Sequence, residues 1–279
     1  YFNQAGLDIT LIRKHASADK RATITLTRQG KIFAAEVTQT SAKHLKTVDI
    51  LLITTKTYDT TEALASIDHA INDNTLIIIC QNGIEHYRII DRFPNNTIYA
   101  AVCFEGVKKS APLTIEHTGI GFTDLGLLRD KASSIDLNSL TQTQLMIRMN
   151  NYIEQLIWKK LIANSCINPL TVYFDCLNGK LLNLAPAMDY IHQLIDEAMP
   201  VMQDYRIDIP SKELKRYCID GIKKTAHNSS SMREDIHQHR QTEIDAINGF
   251  ILHSTKHLAK AAKTHQHLVD FIIGCNPSY

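Results

Sequence analysis

The sequence predicts an α/β protein in which an N-terminal doubly wound sheet is followed by an all-helical C-terminal domain. Two observations lead to this prediction. Strand and helix patterns alternate from the start of the chain to about residue 125, and apolar runs there are typical of buried parallel strands. Beyond about residue 150, only helical periodicity remains. We therefore expect two domains, at residues 1–150 and 151–279.

The N-terminal domain is predicted to contain buried strands separated by short helices and turns. The runs VDILLITT, TLIIIC and TIYAAVCF are typical of parallel strands, and an amphipathic helix at 57–72 separates the first two. Residues 114–126 alternate in polarity and contain glycines, as an antiparallel pair at a sheet edge would. Further strands are predicted at 8–12, 22–27 and 31–38. This order indicates a Rossmann-type fold, which binds ligands beyond the carboxyl ends of its strands.

The C-terminal domain is predicted to be helical throughout. The first helix, in NNYIEQLIWKKLIANSCIN, begins with an asparagine cap and is expected to run as far as Pro169, because proline removes a backbone donor. Three more helices are predicted at 181–205, 211–224 and 230–262.

The composition excludes several classes of protein. Thirty basic residues balance 29 acidic ones, without a basic run, so nothing points to nucleic acid or a charged membrane surface. The apolar runs are too short to span a membrane. The 13 histidines lack metal-ligand spacing, so no metal site is predicted. The six cysteines form no C-x-x-C pair, which suits reduced thiols in a cytoplasmic protein.

The first predicted C-terminal helix has a lysine where an apolar residue is expected. At ~100° per residue, Lys160 lies on the apolar face, whereas Lys159 points to the side. Asn164 and Asn168 follow at i+4 and i+8 and share this face. An ammonium group on the buried side of a helix is costly without partners. Lys160 is therefore a candidate for a structural ion pair or for acid–base chemistry.

The last predicted helix has the same feature with the opposite charge. Read as one helix, 230–262 places Glu243 among Met232, Ile236, Ile247 and Phe250. A buried lysine and a buried glutamate in one domain can form a structural ion pair. They can also form an acid–base site, since poor solvation lowers the pKa of a lysine toward working pH. The amides beside Lys160 favour the second interpretation, because they could bind a polar substrate.

Polar residues also follow the predicted strands of the N-terminal domain. Arg13 follows the strand at 8–12, where an arginine accommodates the 2′-phosphate of NADP, although an ordinary solvated loop arginine fits the same position. Lys56 ends VDILLITT, and Asn82, in a Q-N-G turn, follows TLIIIC. Asn178, in L-N-G, fits a tight turn or a substrate contact equally well, and His117 is interpreted as a strand residue.

An ordered series of motifs resembles the ketopantoate reductase (2-dehydropantoate 2-reductase) family. The series is K-T after a strand, then Q-N-G, H-T-G-I-G, W-K-K-L-I-A-N-S-C-I-N-P-L-T, L-N-G, S-S-M-R-E-D-I and T-E-I-D-A-I-N-G. It covers nearly the whole chain, and the blocks at 158–171 and 230–249 are its most specific parts. The resemblance implies NADPH-dependent reduction of ketopantoate to pantoate, in the route to pantothenate and coenzyme A.

The resemblance also implies roles for individual residues. Lys160 matches the lysine that protonates the substrate carbonyl oxygen, and Glu243 matches the acid that anchors the substrate and interacts with that lysine. The matches to substrate-binding positions are Asn164, Asn168 and Ser231, and Asn178 is a further candidate. The matches to cofactor-binding positions are Arg13, Lys56 and Asn82.

One family motif is missing from this sequence. The glycine-rich fingerprint G-x-G-x-x-G would precede YFNQAG, which reads as the end of a helix. We expect that the first strand and this loop, about twenty residues, belong before Tyr1 in the natural protein.

Two other functions remain open from the sequence. A related reductase could act on another 2-keto acid, and a non-catalytic NADP-sensing protein could keep the fold without the chemistry. The second would be expected to lack Lys160 or Glu243, and both are present. The expected partner is a small keto acid, and the sequence leaves a homodimer open.

Overall fold

The fold was analysed in a computed structural model of the chain. The structure describes residues 2, 6–13, 20–84, 86–132, 135, 137, 140 and 145–275. The predicted helix end at YFNQAG lies mostly outside the described residues. The chain divides into two compact units. The first comprises Tyr1–Thr55, Asp59–Gln81 and His86–Ile153, and the second comprises Lys56–Tyr58, Asn82–Glu85 and Glu154–Tyr279.

The first unit contains two five-stranded sheets, which confirm the predicted α/β class. In the first sheet the strand order is β1-β3-β2-β8-β7. These strands are β1 (Thr10–Ile12), β2 (Lys20–Arg28), β3 (Lys31–Thr40), β7 (Gly106–Ala111) and β8 (Thr114–Gly119). Strands β2 and β3 form a hairpin whose turn residues, Gln29 and Gly30, have φ of 50° and 73°. Positive φ at both positions matches the right-handed twist of the flanking strands.

The second sheet contains the predicted parallel strands. Its order is β10-β9-β6-β5-β4, and β4, β5 and β6 run parallel. Its strands are β4 (Ile50–Ile53), β5 (Leu76–Ile79), β6 (Ile98–Cys103), β9 (Thr123–Arg129) and β10 (Ile147–Met149). All four residues of β5 are buried, as expected for a strand covered on both faces. The predicted helix at 57–72 is shorter, with α1 (Thr60–Ser66) between two 3₁₀ turns, and α2 (His86–Arg92) follows β5.

The predicted strand pair at 114–126 is wrong. Strand β8 pairs antiparallel with β7 and parallel with β2, whereas β9 belongs to the other sheet and pairs with β6. Gly121 lies between β8 and β9, and a Cβ atom there would stand 2.1 Å from the carbonyl oxygen of Phe104. The glycine therefore marks a close backbone approach where the chain leaves one sheet for the other, rather than a hairpin turn.

The second unit is helical, as predicted. Its helices are α3 (Ile153–Tyr173), α4 (Ala185–Asp204), α5 (Ser211–Lys224), α6 (Ser231–His237), α7 (Phe250–His257) and α8 (Lys263–Cys275). A 3₁₀ segment at Asn178–Asn183 precedes α4. A π-helical segment at Asp245–Gly249 leads into α7. Among the described residues, no helix combines the length and the apolar character that crossing a membrane would require.

Helix α3 does not end at Pro169, contrary to the sequence prediction. Proline has no N–H group, so the carbonyl of Ser165, four residues earlier, loses its helical donor. The side-chain Nδ2 of Asn248 donates to this carbonyl at 2.9 Å. Because a residue from the π-helical segment supplies the missing donor, α3 continues to Tyr173.

The single helix predicted at 230–262 is also wrong. Helix α6 ends at His237, and His239 adopts a left-handed conformation with φ of 52°. The N–H of His239 donates to the carbonyl of Ile236 at 3.0 Å, and that of Arg240 donates to the carbonyl of Asp235 at 2.8 Å. This pair of bonds is a Schellman motif, which ends a helix and turns the chain. Glu243 therefore lies before the π-helical segment, not in the middle of a long helix.

A buried histidine connects this segment to the rest of the second unit. His265 is fully buried, and its Nε2 lies 3.1 Å from the carbonyl oxygen of Leu194. Nε2 must be the donor to that carbonyl, so Nδ1 is free to accept the bond from Nδ2 of Asn248 at 3.1 Å. Burial lowers the pKa of His265 to about 4, so the imidazole is neutral in the folded protein near neutral pH.

We expect His265 to make the folding stability depend on pH. Its folded pKa of about 4 lies below the unfolded value near 6.5, so the unfolded state binds the proton first as the pH falls. The contribution is complete above pH 6.5 and is lost as the pH falls to 4, and the loss reaches about 2 kcal/mol at pH 5. Urea unfolding of wild type and His265→Gln at pH 7 and pH 5 checks this, with the exposed His253→Gln as control. Equal pH dependence in wild type and His265→Gln would contradict the prediction.

Candidate active site

Helix α3 presents the lysine and amides that the sequence singles out. Its core side is formed by Trp158, Leu161 and Leu170, all at most 1% exposed. Lys160 and Asn164 are half-buried, and Asn168 is 7% exposed. The adjacent Lys159 points elsewhere, since its Nζ lies 2.6 Å from the Glu213 carboxylate on α5. Lys159 and Lys160 are both half-buried, and the placement of Lys160 on the substrate side of the helix stays a prediction.

Glu243 is buried and accepts hydrogen bonds from two short segments that belong to the second unit. Its Oε2 lies 3.3 Å from Nζ of Lys56 and 3.3 Å from Nδ2 of Asn82. Its Oε1 accepts a longer bond from the backbone N–H of Thr57 at 3.4 Å. The structure thus brings together three of the predicted site residues, Lys56, Asn82 and Glu243. A carboxylate only 6% exposed requires such donors.

Lys56 is shared between two buried carboxylates. Its Nζ lies 3.2 Å from Oδ2 of Asp235 as well as 3.3 Å from Glu243. Burial lowers the pKa of Lys56, but the charges and hydrogen bonds of Glu243 and Asp235 outweigh this and leave it raised. Lys56 is therefore a fixed positive charge in this site at neutral pH.

The sequence prediction missed Asp235 and Arg240. The side chain of Asp235 is only 5% exposed, and its Oδ1 accepts from Nε of Arg240 at 2.9 Å. A signal for Asp235 was available, because Met232, three residues earlier on α6, is apolar and buried on the same face. An acidic residue on a buried helix face needs partners, as a lysine on such a face does, so the argument used for Lys160 also applies to Asp235. Arg240 carried no such signal, because its position depends on the turn at His239.

The serine pair at the start of α6 is divided into two environments. Ser230 is buried, and its Oγ accepts from the N–H of Arg233 at 3.1 Å as the helix N-cap. It also lies 2.6 Å from Oγ1 of Thr171, which donates to the carbonyl of Asn168 at 2.7 Å. Ser231, the predicted substrate-binding serine, is exposed. Ser230 therefore caps helix α6, whereas the Ser231 side chain is exposed to solvent.

Asn178 lies in a tightly packed turn. Its backbone N–H donates to the carbonyl of Asn228 at 3.0 Å, and its Nδ2 donates to Oγ1 of Thr225 at 2.9 Å. Its Oδ1 is buried and finds no hydrogen-bond partner among the described residues. A Cβ atom on Gly179 would stand 2.6 Å from Cβ of Ala226, so a close approach explains the glycine. A tight turn and a substrate contact, the two interpretations that the sequence left open for Asn178, therefore do not exclude each other.

Arg13 lies in the first unit, directly after β1. It is exposed, and its guanidinium donates to Oε1 of Gln39 at 3.2 Å. Its backbone N–H donates to the carbonyl of Thr40 at 3.0 Å, so the Arg13 backbone is hydrogen-bonded to the end of β3. The guanidinium is thus oriented at the end of a parallel strand and accessible to an anion.

Family models match both parts of the chain. The model described as "Ketopantoate reductase PanE/ApbA" matches residues 1–130, and "Ketopantoate reductase PanE/ApbA C terminal" matches residues 152–275. The chain belongs to the ketopantoate reductase family. This confirms the resemblance drawn from the motifs.

Individual ketopantoate reductases agree with this assignment. The chain is 30% identical to the 2-dehydropantoate 2-reductase of Escherichia coli O157:H7 over 249 residues, which are 87% of this chain and 79% of that protein. It is 31% identical to the enzyme of Vibrio cholerae over 208 residues, which are 73% of this chain and 70% of that one. These relatives are oxidoreductases that act on 2-dehydropantoate.

Solved structures share the fold. The Bacillus subtilis protein named "Probable 2-dehydropantoate 2-reductase panE" aligns with a TM-score of 0.77 and 25% identity, over 91% of this chain and 86% of that one. D-mandelate dehydrogenase with NADH and anilino(oxo)acetate aligns with a TM-score of 0.87 and 23% identity, over 99% and 93%. A dimeric ketopantoate reductase of Staphylococcus aureus gives 0.78 and 19%, over 96% and 90%.

Proposed function

We propose that this protein reduces 2-dehydropantoate to pantoate with NADPH, in the route to pantothenate and coenzyme A. What supports the proposal most is the buried carboxylate of Glu243, held by Lys56 and Asn82, in a chain of the ketopantoate reductase family. Residues far apart in the sequence meet at this carboxylate, and they are the residues that the family motifs single out.

In this proposal, the side chains of α3 carry the proton transfer. Lys160 donates a proton to the carbonyl oxygen of the keto acid as hydride reaches the carbonyl carbon. Asn164 and Asn168, one and two turns further along the same face, donate hydrogen bonds to the substrate oxygens. Glu243 anchors the substrate and interacts with Lys160. A donor fixed in position saves the entropy of bringing acid and carbonyl together.

Two further residues are proposed to bind the substrate. Ser231 is exposed at the start of α6, where its hydroxyl is available to the substrate carboxylate. Asn178 has a buried Oδ1 without a partner among the described residues, so it can accept a hydrogen bond from a hydroxyl group of the substrate.

The residues present fit a nicotinamide dinucleotide. Lys56 and Asn82 offer ammonium and amide donors after β4 and β5, and Oε1 of Gln81 is buried without a partner among the described residues. Arg13 offers an exposed guanidinium, which suits the 2′-phosphate that distinguishes NADPH from NADH. When bound, the cofactor supplies the hydride that reaches the keto carbon.

A second candidate is a reductase of another 2-keto acid. The observation in its favour is the likeness to D-mandelate dehydrogenase, a protein of the same fold that acts on an aromatic 2-hydroxy acid. The third candidate, a non-catalytic NADP-binding protein, remains an alternative to be tested by the same assay.

The test is an NADPH-oxidation assay with a panel of 2-keto acids. The panel contains ketopantoate, phenylglyoxylate (the keto acid of mandelate) and unbranched 2-keto acids, each with NADPH and with NADH. We expect ketopantoate with NADPH to give the highest kcat/KM. Equal activity on unbranched acids, or a preference for phenylglyoxylate, would contradict the proposal and support a reductase of another 2-keto acid. NADPH binding without turnover of any acid would favour the third.

Compartment and assembly form part of the proposal. All six cysteines are free thiols, as expected for a protein of the reducing cytoplasm. A homodimer is proposed by analogy with the dimeric Staphylococcus aureus enzyme. Sedimentation of the purified protein at micromolar concentration would test the dimer.

A further inference from the structure

We propose that Arg240 is a positioning residue, which acts through Asp235 to keep Lys56 shared between Asp235 and Glu243. The inference rests on the proposed function, because it assigns a supporting role within that same site. Arg240 has no role in the sequence-based prediction.

The carboxylate of Asp235 is divided between two cations. Its Oδ1 accepts from Nε of Arg240 at 2.9 Å and pairs with the second guanidinium nitrogen at 2.8 Å. Its Oδ2 faces Nζ of Lys56 at 3.2 Å. The side chain is 5% exposed, so these partners replace most of its hydration. Each oxygen therefore has its own cation.

The end of helix α6 determines where Arg240 lies. The Schellman motif at His239 turns the chain and bonds the Arg240 N–H to the carbonyl of Asp235 at 2.8 Å. The same turn returns the Arg240 side chain to the carboxylate of Asp235. The guanidinium also donates to Oε1 of Gln238, which supports its orientation. Backbone and side chain thus hold the same pair of residues together.

The position of Lys56 depends on how these charges balance. Among the ion pairs of the described residues, the Asp235 carboxylate contacts both Arg240 and Lys56, and the Glu243 carboxylate contacts Lys56. With Arg240 present, Asp235 is already paired, so Lys56 can stay at 3.3 Å from Glu243. Without Arg240, the Asp235 carboxylate would lose one of the two cations with which it is paired. The buried aspartate would then attract Lys56 more strongly and draw it away from Glu243. The raised pKa of Lys56 agrees with a lysine already held by both carboxylates.

The chain offers a matched control pair in the first unit. Arg148 donates to Asp124 from Nε at 2.8 Å and from Nη2 at 2.9 Å. The exposed fractions are 53% and 5% for Arg148 and Asp124, against 50% and 5% for Arg240 and Asp235. No lysine pairs with Asp124 among the described residues. Arg148→Met therefore removes an ion pair of similar exposure, together with the contact of its guanidinium with the Phe122 ring, without changing the balance at Lys56.

The experiment is a double-mutant cycle on kcat/KM with Arg240→Met and Asp235→Asn. We expect Arg240→Met to lower kcat/KM about tenfold, and to add less than about twofold when Asp235→Asn is already present. Arg240→Lys is expected to recover most of the loss, since it keeps the charge, and Arg148→Met is expected to leave kcat/KM unchanged. Additive effects in the cycle, or an equal loss with Arg148→Met, would overturn the proposal.

A second measurement does not depend on turnover. Acetic anhydride acylates uncharged lysines, so mass spectrometry of the labelled protein reports the charge state of Lys56. We expect Arg240→Met to slow labelling of Lys56 at least about twofold, because it leaves two carboxylates with one fewer cation. Lys159, paired with Glu213, is the internal reference. If the wild type fails to reduce any keto acid, the proposed function fails, and this labelling alone decides on Arg240. Unchanged labelling would overturn the inference.

Discussion

Replacing Lys160 with alanine is expected to lower kcat for ketopantoate reduction by about 10²–10⁴-fold. In the proposed function, Lys160 supplies the proton that neutralises the developing alkoxide, so its loss raises the barrier of the chemical step. KM should change much less than kcat, because Asn164, Asn168 and Ser231 remain to bind the substrate. Steady-state kinetics of NADPH oxidation at saturating cofactor would measure both.

Two variants separate proton donation from other roles of the lysine. Lys159→Ala removes the adjacent lysine, whose partner is Glu213 on α5, and should retain nearly full kcat. Lys160→Arg keeps a positive charge, but a guanidinium does not release its proton near neutral pH. We therefore expect Lys160→Arg to be about as slow as Lys160→Ala. If both Lys160 variants kept the wild-type rate, the lysine would be structural and the proposed mechanism would be wrong.

Replacing Trp158 with alanine is expected to reduce the free energy of unfolding by about 3–5 kcal/mol. Trp158 is fully buried on α3, and its ring centroid lies 5.2 Å from that of Tyr205 and 6.0 Å from that of Phe250. The rings of Tyr205 and Phe250 are themselves 5.7 Å apart, so the three form a closed cluster. Alanine would leave a cavity beside the rings of Tyr205 and Phe250.

Urea unfolding followed by far-ultraviolet circular dichroism would measure this loss. Circular dichroism is needed because Trp158 is the only tryptophan, and its replacement removes the fluorescence signal. Tyr152→Ala is the control, since that aromatic side chain is 71% exposed, and we expect it to cost less than about 0.5 kcal/mol. Similar losses in the two variants would show that burial of Trp158 contributes little.

Much of the fold followed from hydrophobic patterns. Strand β5 was predicted because a run of apolar residues between turns is typical of a strand buried on both faces. Helix α5 was predicted at 211–224 and spans Ser211–Lys224, since its apolar residues recur at helical spacing. These patterns are local, so the sequence alone could reveal them. The pairing of β8 with β2 could not be predicted, because β2 lies far away in the sequence.

The site was partly predictable for the same reason. A charge at an apolar position singled out Lys160 and Glu243 as candidate site residues, although the reasoning for Glu243 assumed one continuous helix. The helix in fact ends at His237, so Met232 and Ile236 are not on the same helix as Glu243. The carboxylate is buried nonetheless, because Lys56, Asn82 and Thr57 surround it. Asp235 was overlooked, although its buried apolar neighbour Met232 on α6 carried the same signal.

The sequence by itself determined the α/β order, the helical second half, the family and the polar residues on apolar faces. Each of these depends on the periodicity of nearby residues or on an ordered series of motifs. Only the tertiary structure decided that α3 continues past Pro169 and that Glu243 meets Lys56 and Asn82. In the first case Asn248 supplies a donor from a distant segment, and in the second two residues far away in the sequence donate to the carboxylate. Both depend on hydrogen bonds between distant parts of the chain, which local propensity does not encode.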